Sequence, residues 1–141
     1  MPEVSDEKKV EVRNYLSDAR RPYQHTSATG VVLYDDGEYG SIHYGYSGAE
    51  VDWRYTRFVF RHRTSDFVRS RKKSNDAEVK VFDLASWEII SNLRESYHPI
   101  AMFLYVVGPH PVCPCCNHLK SLFKHEFSIE TISVEYIQRL Y

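Results

Sequence analysis

The chain has 141 residues, of which 43% are apolar and 26% charged, and its formal net charge is −1. This is the size and composition of one ordinary globular domain. No stretch approaches the eighteen apolar residues of a membrane span, and the polar residues 1–9 lack the apolar core of a signal peptide. All three cysteines fall within four positions, which favours metal binding or redox chemistry over a disulfide framework.

The first part of the chain predicts a helix and then a β-hairpin. Residues 5–20 have a helical pattern with Ser5 as the N-cap. The predicted apolar face of this helix comprises Val10, Val12, Tyr15 and Leu16. Residues 29–34 and 39–46 are rich in strand-forming residues and are separated by the turn signal at residues 35–37. Residues 53–63, which alternate bulky and basic side chains, predict a strand or an extended insertion.

The second part predicts a long helix, a central strand and a further helix. Ser74 is a candidate N-cap for a helix to about residue 95, and its predicted apolar residues are Val79, Val81, Phe82, Leu84, Ala85, Trp87, Ile89 and Leu93. The apolar run at residues 100–107 predicts a strand covered on both faces. A helix to about residue 124, a strand at residues 127–134 and a short helix at residues 135–141 follow. This order predicts an α/β fold.

Two helix starts carry the residues with metal and acid–base chemistry. Cys113 and Cys116 form a C-x-x-C pair before the third predicted helix, and Asp76 and Glu78 stand at the start of the long helix. If both helices begin at the same edge of the sheet, these four side chains come together. Paired thiolates with a third donor are a ligand set for Zn²⁺ that leaves one coordination position open.

This layout resembles the cytidine-deaminase superfamily, whose signature is H/C-x-E at the start of one helix and P-C-x-x-C at the start of the next. Here Asp76-Ala77-Glu78 stands where His-Ala-Glu would, and residues 113–116 supply the C-x-x-C. The resemblance covers about residues 5–135. It implies a three-layer α-β-α fold with a mixed sheet and helices on both faces, formed by a single domain over residues 1–141 with a basic, aromatic insertion at about 50–73.

The resemblance also implies a role for each residue. Asp76, Cys113 and Cys116 would bind Zn²⁺, which lowers the pKa of water so that hydroxide forms at neutral pH. Glu78 would be the general acid and base of a hydrolytic deamination. His110, beside the proposed ligands, would line the pocket.

The sequence departs from the superfamily signature at two points. Asp76 replaces the usual His or Cys, so that three anionic ligands would neutralise the metal more fully. Proline precedes Cys115 rather than Cys113, which leaves Cys115 and His118 as an alternative ligand pair. A structural zinc site of three cysteines with His110 or His118, or a redox pair, also remains open. The other histidines have no ligand-like spacing; they are His25, His43, His62, His98 and His125.

Residues 54–73 contain eight basic residues and one acid, which is typical of a segment that binds a polyanion. Arginine binds phosphate and aromatic rings stack on unpaired bases. The candidate nucleic-acid-binding residues are Trp53, Arg54, Tyr55, Arg57, Arg61 and Arg63. The alternative is that the aromatic residues are core residues and the arginines a solvated face.

A small deaminase-like domain of this kind resembles the toxin modules of bacterial polymorphic toxins. That resemblance implies secretion or delivery into a target bacterial cell, action in its cytoplasm, and an immunity protein as partner. Cytosine in single-stranded DNA is the expected substrate, by analogy with such toxins. Adenine, RNA, free nucleotides and a non-catalytic nucleic-acid-binding module with a structural zinc remain alternatives.

Overall fold

The computed structural model describes residues 2–18, 26–46, 77–93, 96–108 and 114–138. Within these ranges the elements are α1 (Asp6–Asp18), β1 (Ser27–Tyr34), β2 (His43–Tyr46), α2 (Ala77–Leu93), β3 (Pro99–Gly108), α3 (Pro114–Phe127) and β4 (Thr131–Gln138). The strands form one sheet in the order β2-β1-β3-β4. β1 is antiparallel to β2 and β3, whereas β3 and β4 are parallel. The predicted α/β fold is therefore confirmed.

Ser5 caps α1 as predicted, because its Oγ accepts a hydrogen bond from the backbone N–H of Lys8 at 3.1 Å. Val12 and Leu16, four residues apart, are buried on one side of the helix. The prediction was wrong for Val10 and Tyr15, which are 49% and 45% exposed. Among the described side chains of α1, Val12 and Leu16 supply the narrow buried stripe. The Tyr15 ring lies instead beside that of Tyr44.

Separate apolar clusters lie on the two faces of the sheet. One combines residues of α2, α3 and the strands, including Val32, Phe82 and Leu119. The other, on the opposite face, contains Val12 of α1 together with Val31. Adjacent residues of β1 thus point to opposite faces, as strand geometry requires. β3 contributes to both clusters and is the strand covered on both faces that its apolar run predicts.

The predicted buried face of α2 is confirmed for most of its residues but was wrong for Trp87. Val79, Phe82 and Ile89 are fully buried, whereas Trp87 is exposed. Trp87 lies five positions beyond Phe82, roughly 140° around the helix, and so points away from the cluster that Phe82 joins.

The C-terminal elements lie later in the chain than predicted. α3 continues to Phe127, whose ring packs on that of Phe123 with centroids 4.8 Å apart. β4 therefore occupies Thr131–Gln138 rather than residues 127–134. The predicted helix at 135–141 was wrong for residues 135–138, since these pair in parallel with β3 and the pairing overrides their helix propensity. Residues 139–141, and the predicted insertion at about 50–73, lie outside the described residues.

Candidate functional site

Glu78 lies in the first turn of α2 and is only 8% exposed. Burial of a carboxylate is costly unless it is hydrogen-bonded or paired, and a helix N-terminus favours a negative charge. This position therefore suits an acid that works out of contact with bulk water.

The start of α2 is fixed to the end of β2. The Nζ of Lys80 donates a hydrogen bond to the carbonyl oxygen of Tyr46 at 2.5 Å. Gly45 faces the helix so closely that a Cβ there would lie 3.1 Å from the carbonyl oxygen of Ala77 and 2.8 Å from the Cβ of Lys80. The first turn of α2, and with it Glu78, thus lies at the sheet edge where β2 ends.

The same edge carries the end of β3, because Ser27 of β1 is opposite both Tyr46 of β2 and Val107 of β3. α3 follows β3 and leads to β4, which is parallel to β3 and begins opposite Ala101. A helix that joins two parallel strands must return along the sheet, so α3 begins at the carboxyl end of β3. Both helices therefore begin at one edge of the sheet.

The two helices also share one face. The rings of Phe82 in α2 and Phe123 in α3 have centroids 4.8 Å apart, and both residues belong to the same apolar cluster. Both helices thus begin at the same edge of the sheet and pack on the same face of it. Glu78 lies at one start, and the backbone of Cys116 lies in the first turn of the other.

The remaining predicted site residues fall outside the described part of the chain. Asp76, Cys113 and His110 lie there, as do Trp53, Arg54, Tyr55, Arg57, Arg61 and Arg63. The side chain of Cys116 is not described, nor are those of Cys115 and His118, the alternative ligands. Among the side chains that are described, no three His, Cys, Asp or Glu residues form a group that could hold a metal ion.

A second polar cluster lies at the other end of α2, where sequence reasoning missed it. The Glu88 carboxylate accepts hydrogen bonds from the Tyr34 hydroxyl at 2.5 Å and the Ser41 backbone N–H at 2.8 Å. The Nε2 of His43 lies 2.8 Å from the same carboxylate. Burial, followed by the hydrogen bond to Glu88, raises the pKa of Tyr34 well above its usual value.

This cluster joins α2 to the connection between β1 and β2. Gly40 packs against the Glu88 carboxylate so closely that any Cβ would collide with it. Glu88 is ten residues beyond Glu78, about 15 Å along the helix axis, and so lies apart from the candidate site. Its carboxylate contacts three hydrogen-bonding partners, one each from β1, β2 and their connection. This is typical of a structural cluster that holds a helix against a sheet.

Asp83 is a further buried acid that the sequence did not single out. It is fully buried within α2, and its backbone carbonyl accepts a hydrogen bond from the Ser86 hydroxyl at 2.7 Å. In sequence it looks like one more polar residue of an amphipathic helix, so only the packing around α2 identifies it.

Comparison of the chain with known protein families, with curated protein sequences and with solved structures gave no match. Over the described residues, the architecture is an α/β fold with a four-stranded mixed sheet. None of the helices in these ranges is long and apolar enough to cross a membrane.

Proposed function

We propose that this protein is a zinc-dependent hydrolytic deaminase that converts cytosine to uracil in nucleic acid, with single-stranded DNA as the favoured substrate. The observation that carries the proposal is the buried Glu78 at the start of α2, on the same edge and face of the sheet as the start of α3. The superfamily signature requires its two halves to lie at the starts of two helices placed in this way.

The donor atoms of the chain suit zinc. Cys113, Cys116 and Asp76 would hold the ion, since two thiolates and a carboxylate are all known zinc donors. When bound, zinc supplies the acidity that makes water a nucleophile at neutral pH. The C-x-x-C pair spans the start of α3, because Cys113 directly precedes Pro114 and Cys116 lies in the first helical turn.

Glu78 would carry the protons of the reaction. Its carboxylate takes the first proton of the attacking water and passes it to the ring nitrogen of cytosine. It then takes the second proton, from the hydroxyl added to the ring, and passes it to the departing amino group. Cytosine and water thus give uracil and ammonia, and Glu78 ends in its starting state. Its low exposure supports this role, because a shielded carboxylate exchanges protons with the substrate rather than with bulk water.

The arrangement of the helices also supports the superfamily proposal. α1 packs on one face of the sheet, whereas α2 and α3 pack on the other. This fits a three-layer α-β-α domain that extends over residues 1–141. His110, which follows β3 by two residues, would lie at the mouth of the pocket.

The basic segment supports a polymeric substrate. Eight basic residues and one acid occupy residues 54–73, with aromatic residues among them. Such a segment attracts the phosphates of a strand and offers rings on which unpaired bases stack. We assign phosphate and base contacts to Arg54, Arg57, Arg61, Arg63, Trp53 and Tyr55.

A nucleic-acid deaminase that acts on a rival's genome is a toxin, and the proposal extends to this role. The protein would be delivered into a target bacterial cell, act in its cytoplasm and be neutralised by an immunity protein in the producing cell. This part of the proposal rests on the resemblance to polymorphic toxins alone.

The central test is Glu78→Gln, expressed in bacteria that lack uracil repair and followed by genome sequencing. The wild-type protein should produce C-to-T changes, and Glu78→Gln should reduce them at least about a hundredfold, because the proton carrier is lost. Glu88→Gln is the matched control, since it makes the same change on the same helix about 15 Å away, and it should retain the mutagenic activity. Undiminished C-to-T changes with Glu78→Gln would refute the assigned role.

Metal analysis of purified variants separates the competing functions. Cys113→Ala and Cys116→Ala should lose both zinc and activity, whereas Glu78→Gln should keep its zinc. A structural-zinc binding module predicts tight binding of nucleic acid with no conversion of any base. A deaminase of free nucleotides predicts turnover of cytidine or deoxycytidine and no changes in the genome.

A further inference from the structure

Lys80 lies in the first turn of α2, where the positive end of the helix dipole disfavours a cation. Its side chain reaches the end of β2. There the Nζ donates a hydrogen bond to the carbonyl oxygen of Tyr46 at 2.5 Å and lies 5.4 Å from the centroid of the Tyr46 ring. A tertiary contact thus accounts for a lysine that helix energetics alone would not favour at this position.

This contact joins two parts of the chain that are distant in sequence. Lys80 and Tyr46 are 34 positions apart, so the start of α2 depends on tertiary contacts for its place against β2. A hydrogen bond from an ammonium group is stronger than one between neutral groups. Beside it, Gly45 approaches α2 so closely that a Cβ would lie 3.1 Å from the Ala77 carbonyl oxygen. The start of α2 is therefore held by a charged side chain and by close backbone packing.

Helix geometry relates Lys80 to Glu78. Residues two positions apart differ by about 200° around the helix axis, so Glu78 lies on nearly the opposite side of α2 from Lys80. Glu78 is one turn before Phe82 and shares its side of the helix. The Phe82 ring packs on that of Phe123 in α3, with centroids 4.8 Å apart. Lys80 thus faces β2, whereas Glu78 lies on the side of α2 that faces α3.

We infer that Lys80 is a positioning residue for Glu78. Its contact with Tyr46 fixes the rotation of the first turn of α2, and this rotation keeps Glu78 on the side of α3, whose start carries the C-x-x-C pair. Lys80 acts through the helix and is assigned no contact with the substrate. The effect on catalysis rests on the proposed function, whereas the anchoring of the helix start does not.

Kinetics of Lys80→Met, which keeps the side-chain stem and removes the ammonium group, test the positioning role. The measurement is kcat and KM on a single-stranded oligonucleotide that contains cytosine, per folded molecule. We expect kcat to fall at least about tenfold, because a small displacement of a catalytic group is costly. KM should change less than about twofold, because substrate binding is not altered. Lys80→Arg should recover most of kcat, since a guanidinium group also donates to a carbonyl and stacks on a ring.

Glu88→Gln is the matched control for general loosening of the helix. It weakens another contact between α2 and the hairpin, about 12 Å along the helix from Lys80, and it should retain kcat. Tyr46→Leu removes the ring but leaves the carbonyl. Its effect on kcat should be smaller in Lys80→Met than in the wild-type protein, because the two residues act through one contact.

Hydrogen exchange tests the anchor without any reaction. In Lys80→Met, the amides of residues 78–84 should exchange at least about fivefold faster than in the wild-type protein, because the start of α2 opens more readily. The amides of residues 87–93 should exchange as before. Glu88→Gln should give the opposite pattern, with faster exchange confined to the later part of α2.

The outcomes separate this inference from the proposed function. An unchanged kcat in Lys80→Met would overturn the positioning role, and so would an equal loss of kcat in Glu88→Gln, which would place the cause in the packing of α2 as a whole. A wild-type protein that converts no cytosine would refute the proposed function. In that case exchange decides on the anchor: faster exchange of residues 78–84 in Lys80→Met would support it, and unchanged exchange would overturn it.

Discussion

Ser128 adopts a left-handed backbone conformation, with φ of 53°, directly after the last residue of α3. The N–H of Ile129 donates to the carbonyl of Lys124 at 3.1 Å, and that of Ser128 to the carbonyl of His125 at 3.4 Å. These bonds, with the buried Ile129 side chain, form a Schellman cap. The serine therefore occupies a position at which its Cβ carries a steric cost that glycine avoids.

Ser128→Gly should raise the free energy of unfolding by about 0.5–1 kcal/mol, because glycine takes up the left-handed conformation without strain. Urea unfolding followed by circular dichroism measures this difference. Ser121→Gly is the control, since Ser121 lies within α3. This variant should have a free energy of unfolding about 0.5 kcal/mol lower, because glycine is unfavourable inside a helix. A loss of stability with Ser128→Gly would contradict the cap.

At the scale of the element, α2 approaches the hairpin through two glycines. A Cβ on Gly30 would lie 2.7 Å from the Cγ1 of Val81, the fifth residue of the helix. A Cβ on Gly45 would contact the Ala77 carbonyl and the Lys80 Cβ at its start. Gly30 thus meets a side-chain methyl of α2, whereas Gly45 meets the backbone of its first turn, next to Glu78.

Gly30→Ala and Gly45→Ala should each lower the free energy of unfolding by about 1–3 kcal/mol through overpacking. If Glu78 is the proton carrier, Gly45→Ala should also lower kcat at least about tenfold, since a small displacement of a catalytic group is costly. Gly30→Ala should change kcat much less. The measurement is single-strand deamination per folded molecule at a temperature where both variants are folded, and equal kcat values would refute the positional argument.

The elements also show why sequence predicted some features and not others. The cap of α1 and the burial of α2 follow from local signals, namely Ser5 and the spacing of the apolar residues, and both are confirmed. The end of α3 depends on the contact between Phe123 and Phe127 and on the cap at Ser128. Neither is marked in the sequence by a residue that typically ends a helix, such as glycine or proline. β4 was consequently placed too early, and its C-terminal half was mistaken for a helix.

The same contrast holds for the polar clusters. Glu78 could be singled out because its motif lies within three residues, and the order of helix, strand and helix predicts where the second half of the candidate site lies. The Glu88 cluster could not, because its partners Tyr34, Ser41 and His43 are 54, 47 and 45 residues away in the chain. Tertiary packing creates that cluster, and nothing in the local sequence marks it.

At the scale of the whole molecule, the charges are divided unevenly. Residues 54–73 carry a net +7, from eight basic residues and one acid, while the whole chain carries −1, so that the remainder carries −8. A nucleic acid would therefore be attracted to one segment and repelled by the rest of the surface. This asymmetry favours binding of nucleic acid along the basic segment over non-specific binding across the whole surface.

The salt dependence of binding tests this division of charge. Replacing Arg54, Arg57, Arg61 and Arg63 with glutamine should weaken binding to a single-stranded oligonucleotide. It should also reduce the slope of log K against log salt by up to about 3, since each phosphate contact contributes about 0.7 for single strands. Replacing Lys8, Lys9, Lys120 and Lys124 makes the same change of charge outside the segment and should leave the slope nearly unchanged. Equal slopes for the two variants would mean that net charge, rather than the basic segment, governs the encounter.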